Sequence, residues 1–130
     1  MAELKQKASD LVAEAKGRIE NLSVDQVADE LAAGDAVVID IREAEERLEQ
    51  GAIPGSFHAP RGMLEFYADP ASKYHRPEFD PDRRIILHCA LGGRSALATA
   101  ALQDMGYSNI AHLESGFEGW SKAGKPVEQE

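Results

Sequence analysis

The stretch "RIILHCALGGRSALATAALQDMG", residues 84–106, decides the architecture. Arg84 to Cys89 is a short apolar run rich in β-branched residues, the pattern of a buried strand. From Ser95 to Met105, Leu97, Ala98, Ala101, Leu102 and Met105 recur at helical spacing, and Gly106 is placed to stop the helix. A buried strand leading straight into a helix is half of a β-α-β unit. It predicts a mostly parallel sheet with helices packed on it. Sites in such sheets form at the carboxyl ends of the strands, which is where Cys89 falls.

The alternation continues on both sides. "AVVID" from Ala36 to Asp40 reads as a second buried strand, and "REAEERLEQ" after Ile41 as a short charged helix. "GAIPGS" is a turn broken by Pro54 and Gly55, and "FHAP" a brief strand. Residues 62–84 read as a long irregular loop carrying Pro70, Pro77 and Pro81 among Phe66, Tyr67, Tyr74 and Phe79. Loops of that length in a compact domain tend to be functional or flexible. "NIAHLE" is a further strand and "GFEGWSKAG" a last short helix. Upstream, Ser23 and Gln26 form a capping box for a helix through Ala33, ended by Gly34. Before it, Leu4, Ala8, Leu11, Val12, Ala15 and Ile19 make one apolar stripe. Residues 1–22 are therefore read as an N-terminal amphipathic helix and 23–130 as one α/β domain. The stripe is expected to pack on its own domain, with a homodimer contact as the second use.

A chain of 130 residues suits a single core. Its 43% hydrophobic and 28% charged content is ordinary for a globular fold. The net charge of −9 disfavours nucleic acid and anionic lipid as partners. Any anion site must be built locally, from arginines and backbone N–H groups. A single cysteine excludes an intrachain disulfide and multi-thiolate zinc sites, and fits a reducing, cytoplasmic setting. The charged N-terminus has no apolar signal-peptide core, and no run is long enough to span a bilayer. His58, His75 and His112 lack ligand spacing, so neither a metal nor another cofactor is expected.

"CALGGR" between a strand and a helix has a definite chemical use. Gly92 and Gly93 let the backbone curl with positive φ, aiming successive N–H groups inward as an anion nest. The helix start adds the positive end of its dipole, and Arg94 adds a fixed charge. A thiol at that centre is expected to ionise and act as a nucleophile. The nest would also hold a second negative atom bonded to it, such as a persulfide sulfur. Ser95 is expected mainly as an N-cap. His88, adjacent along a strand, is expected on the opposite face.

These residues sit in motifs that resemble the rhodanese sulfurtransferase family over roughly Ser23 to Val127. "DIREAEE" at Asp40–Glu46, "GAIPGS", "CALGGRS" and "ESGFEGW" each resemble a family segment, with Ala52 in place of a usual His and Ser115 in place of a usual Gly. "PRGMLEFYADPASKY" resembles a bacterial subgroup near polysulfide sulfurtransferases. The resemblance implies a three-layer α/β/α domain with a five-stranded, mostly parallel sheet. It implies sulfane-sulfur transfer from a small-molecule donor such as thiosulfate or polysulfide to a thiol or cyanide, through a Cys89 persulfide. In that reading Cys89 and Arg94 are catalytic. Ala90, Leu91, Gly92, Gly93 and Ser95 bind substrate, with Arg61 as a further contact. Asp40 and Arg42 support the loop. The rivals are a non-catalytic binding module of the same fold and a cysteine-dependent phosphatase or arsenate reductase. Phosphatases of this fold place five residues between cysteine and arginine, whereas here there are four.

Overall fold

A computed structural model describes residues 2–129. Five strands, β1 (Glu20–Leu22), β2 (Ala36–Asp40), β3 (Phe57–His58), β4 (Arg84–His88) and β5 (Ile110–Leu113), form one sheet in the order β1-β5-β4-β2-β3. Every pairing in it is parallel. The helices are α1 (Ala8–Lys16), α2 (Val24–Ala33), α3 (Ala44–Gln50), α4 (Leu64–Ala68), α5 (Gly93–Met105) and α6 (Gly116–Lys122).

Side chains alternate across the sheet, as the pleat requires. Ile39, Ile85, Leu87 and Ile110 face α4 and α5, where they meet Leu64, Ala98 and Leu102. Val38, Ile86, Ala111 and Leu113 face the other way, toward Val27 of α2 and Phe117 and Trp120 of α6. The expected three layers therefore stand, around an entirely parallel five-stranded sheet.

Helix α2 has the expected capping box, with the Ser23 hydroxyl accepting from the Gln26 N–H at 3.1 Å and Gln26 answering at 2.8 Å. Gly34 ends it at φ 77°.

The N-terminal reading needs correction. The helix spans only Ala8–Lys16, Leu4 lies outside it and is exposed, and Glu20–Leu22 is a strand pairing with β5. Three residues are too few for any periodicity to announce a strand. The inner part of the stripe is spent within the chain: Val12, Ala15 and Ile19 pack on Ala96, Leu97 and Ala100 of α5. Helix α5 is thus covered on two sides, by the sheet and by α1. Its small residues Ala96 and Ala100 lie inside, and Met105, expected on the buried face, is exposed.

The segment 62–84 is also better ordered than its composition predicts. A 3₁₀ turn (Arg61–Met63) leads into α4, and Phe79 is buried against Phe57 and Tyr67. The buried Tyr107 hydroxyl donates to the carbonyls of Ala68 and Phe79, at 2.7 and 3.2 Å. Burial pushes that phenol up to about 12, which keeps it a donor.

Candidate active site

Strand β4 ends at His88, and the chain curls through Cys89–Gly92 into α5. The curl depends on Gly92, which takes φ 101° as the cap of α5. A side chain there would collide with the Glu114 carbonyl. Gly93 is helical and shows no positive φ, so the expected pair of permissive glycines is one. From the other side, Gly116 at φ 68° lets the turn before α6 approach Ala90. Ser115 has φ −86°, so the glycine absent there is not required. The first N–H groups of α6 hold the loop by its carbonyls: Phe117 donates to Cys89 at 2.8 Å and Glu118 to Ala90 at 3.0 Å.

The thiol lies inside this curl, 1% exposed. Its surroundings are polar on the helix side. The N–H groups of Gly92 and Ser95 point at Sγ from 3.1 and 3.3 Å, and the Ser95 hydroxyl lies 3.4 Å away. Sγ therefore occupies the place of a cap at the N-terminus of α5, a 13-residue helix whose dipole favours negative charge there. Of the N–H groups from Ala90 to Arg94 that the family resemblance implies around a bound sulfur, that of Gly92 bonds Sγ, and Ser95, one residue beyond them, supplies the second. Ala90 and Leu91 line an open cleft of about 430 Å³ on the outer side of the loop, shared with Gln50, Phe117, Ser121 and Lys122.

Ser95 is not the N-cap. The helix begins two residues earlier, and the buried Ser95 hydroxyl bridges Cys89 to His112 Nδ1 at 2.8 Å. His112 Nε2 in turn meets Asn21 Oδ1 at 2.7 Å. Burial, with Lys16 nearby, pushes His112 down to about 4. The sequence assigned no role to Asn21 or His112. A polar side chain on the same face as Ile110, inside a strand, was the available signal for His112; Asn21 carried none.

Arg94 was expected as a fixed charge at the thiol with a catalytic role. Instead its guanidinium forks onto Glu46 of α3, at 2.8 and 3.0 Å, which raises its affinity for its proton. It ties the loop to α3. Arg61 also departs from expectation: it pairs with Glu65 at 2.8 Å and does not line the cleft. The cation at the cleft is Lys122, paired with Glu118.

Asp40 and Arg42 lie beneath the loop, both fully buried. Burial would raise Asp40, but the Arg42 guanidinium, at 2.8 to 3.2 Å, and the Arg42 backbone N–H, at 3.0 Å, outweigh it and hold the carboxyl at about 2. Arg47 adds a further contact at 3.0 Å. Arg42 also donates to the Gly51 carbonyl and stacks 4.2 Å over the Phe117 ring, the residue whose N–H holds Cys89. His88 sits on this opposite face, as strand alternation requires, against Phe117 and away from the thiol. Burial pushes it down, toward the neutral ring.

Residues 23–123 match the rhodanese-like domain family. The chain belongs to that family. A thiosulfate sulfurtransferase GlpE of Actinobacillus succinogenes is 33% identical over 93 residues, covering 72% of this rhodanese-like chain and 76% of the relative. Its presence, with other sulfurtransferases, places this rhodanese among the rhodanese-type enzymes. A solved Rhodopseudomonas palustris protein, described as of unknown function and a possible tyrosine phosphatase, superposes with TM-score 0.93 at 41% identity over 98% of both chains. The dual specificity phosphatase Cdc25 of Arabidopsis thaliana is 36% identical over 99 residues, 69% of this rhodanese and 63% of that protein.

Proposed function

We propose that this rhodanese carries sulfane sulfur on Cys89. The observation that supports it most directly is the convergence of the Gly92 and Ser95 N–H groups on Sγ at the positive end of α5. The Cys89 thiolate attacks the outer sulfur of a donor such as thiosulfate or a polysulfide. The donor's S–S bond breaks, and its electron pair leaves with sulfite or the shortened polysulfide. A persulfide remains on Cys89. An acceptor thiolate or cyanide then attacks the terminal sulfur, and Cys89 departs as thiolate. Both steps are displacements at sulfur in ping-pong order. The loop N–H groups lower the energy of the anionic forms in each step.

Two relatives carry phosphatase descriptions, so phosphate-ester hydrolysis is the reading to weigh against this one. The site favours sulfur. Only four residues separate Cys89 from Arg94, one fewer than phosphatases of this fold place there, which leaves a smaller ring of loop N–H groups around the thiol.

Intact mass after incubation with thiosulfate separates the readings. The expected result is a gain of one sulfur atom, lost on adding cyanide and absent in Cys89→Ser. Turnover of a phosphate ester with no sulfur uptake would overturn the proposal. Failure of both, with thiosulfate and polysulfide as donors, would leave a binding module.

A further inference from the structure

A chain of four polar groups runs from the thiol to the edge of the sheet, and one amide fixes its direction. Asn21 Nδ2 donates to the carbonyls of Lys16 and Ile19, at 3.0 and 3.2 Å. Turning the amide over would set its oxygen against both, so Oδ1 is the atom facing His112. His112 Nε2 therefore carries a proton, and Nδ1 of the neutral ring is an acceptor. Among the described residues, the donor in reach of Nδ1 is the Ser95 hydroxyl. With its proton committed there, Ser95 Oγ can only accept from Cys89, and the thiol proton points along the chain. Ser95 and His112 are fully buried, so water does not compete along this stretch.

We propose that this chain is a proton relay that ionises Cys89. The Sγ–H proton passes to Ser95 Oγ as the Ser95 hydroxyl proton passes to His112 Nδ1. The S–H, Ser95 O–H pair is exchanged for a Ser95 O–H and a His112 Nδ1–H, leaving a thiolate and an imidazolium joined through one hydroxyl. Ser95 then donates to the sulfur it previously accepted from, adding a third donor to those of Gly92 and Ser95 N–H. His112 and Asn21 act as positioning residues, because they reach the sulfur only through Ser95. The other charged groups are Arg94 of α5, which acts on Cys89 directly, Lys16, at the end of α1, and Glu114, paired with Lys16 at 3.9 Å. Burial first, and Lys16 second, keep the ring neutral while Cys89 holds its proton, as an acceptor must be, and the thiolate is the charge that holds the imidazolium once the proton has moved. From β4, Leu87 lies beside His112 in register and brings no charge. Asn21 precedes the family match, which starts at residue 23, so the N-terminal segment takes part in the site.

The relay rests on Cys89 being the nucleophile, but its test does not need sulfur transfer. Cys89 is the only cysteine, so far-ultraviolet thiolate absorbance, taken as the difference from Cys89→Ser, follows this sulfur alone. In His112→Asn the side chain still accepts from Ser95 but takes up no proton. The absorbance is expected to appear about one pH unit or more higher in Ser95→Ala and in His112→Asn. The double variant should move no further than either single one, because each breaks the same chain. A profile unmoved in Ser95→Ala, which keeps the helix and changes little volume, would overturn the relay, as would shifts that add. Nitrogen NMR of the unaltered protein is a second reading: a neutral His112 protonated at Nδ1 rather than Nε2 would also overturn it. A normal relay in a protein that takes up no sulfur would count against the proposed activity instead.

Discussion

Asp40 is a fully buried carboxylate bonded by both Arg42 and Arg47, which makes it a sensitive position. Removing its charge leaves Arg42, with no exposed surface, as an uncompensated buried cation. Breaking such a group costs about 3–5 kcal/mol. Asp40→Asn is thus expected to lower the denaturant midpoint sharply, a loss that equilibrium unfolding would measure. Arg94 is a contrasting case. It is 41% exposed and pairs with a single partner, so Arg94→Ala should cost folding less than about 1 kcal/mol. Sulfur loading should fall by more than that accounts for, since the loop loses its tie to α3. Glu46→Gln, which weakens the same tie and keeps the arginine, should reproduce much of the fall if the tether matters and little of it if the bare charge does. Comparing loading rates of the two variants decides. The sequence made Cys89 legible because a lone thiol beside glycines is unusual. It could not show that Arg94 is already occupied, since Glu46 lies 48 positions away and the pairing exists only once α3 packs beside the loop.

At the scale of elements, the long segment after β3 shows why loops resist reading. Its prolines and aromatics predicted irregularity, but what orders it is Tyr107, beyond the end of α5. Tyr107→Phe removes the one hydroxyl shared by the Ala68 and Phe79 carbonyls, and only Phe79 keeps a further contact, to the His75 ring nitrogen at 3.3 Å. The expected cost is about 1–3 kcal/mol. Faster hydrogen exchange confined to residues 68–79 would localise it, while a uniform rise would argue against the pinning role. The strands β2, β4 and β5 were readable because their buried runs stand between turn signals. Strand β1 was not. Its three residues are recruited by pairing with β5 rather than by a pattern of their own. The same limit hid Asn21.

The molecule as a whole should be sensitive to acid, and the signs agree. His112 binds its proton less readily folded than unfolded, so its contribution is complete above the ordinary imidazole range and is lost as the pH falls from about 6.5 toward about 4. His88, also pushed down by burial, acts in the same direction. Asp40 is held low, so its contribution is present above its ordinary value of 3.8 and disappears as the pH falls toward about 2. At 1.36 kcal/mol per unit, His112 alone withdraws about 3 kcal/mol and Asp40 about 2. Against a typical total of about 5–15 kcal/mol, the His112 share, gone by about pH 4, is a large fraction, and the Asp40 share follows only below pH 3.8. Denaturant midpoints read by circular dichroism should fall steadily from about pH 6 downward. A midpoint unchanged to pH 4 would contradict the depressed proton affinity of the buried imidazoles.

The sheet is bordered by its two shortest members, three residues in β1 and two in β3. An unfilled border of that length offers a neighbouring molecule almost no ladder to extend. Together with a surplus of nine negative charges, this should keep concentrated solutions free of fibrils, because no copy can template the next.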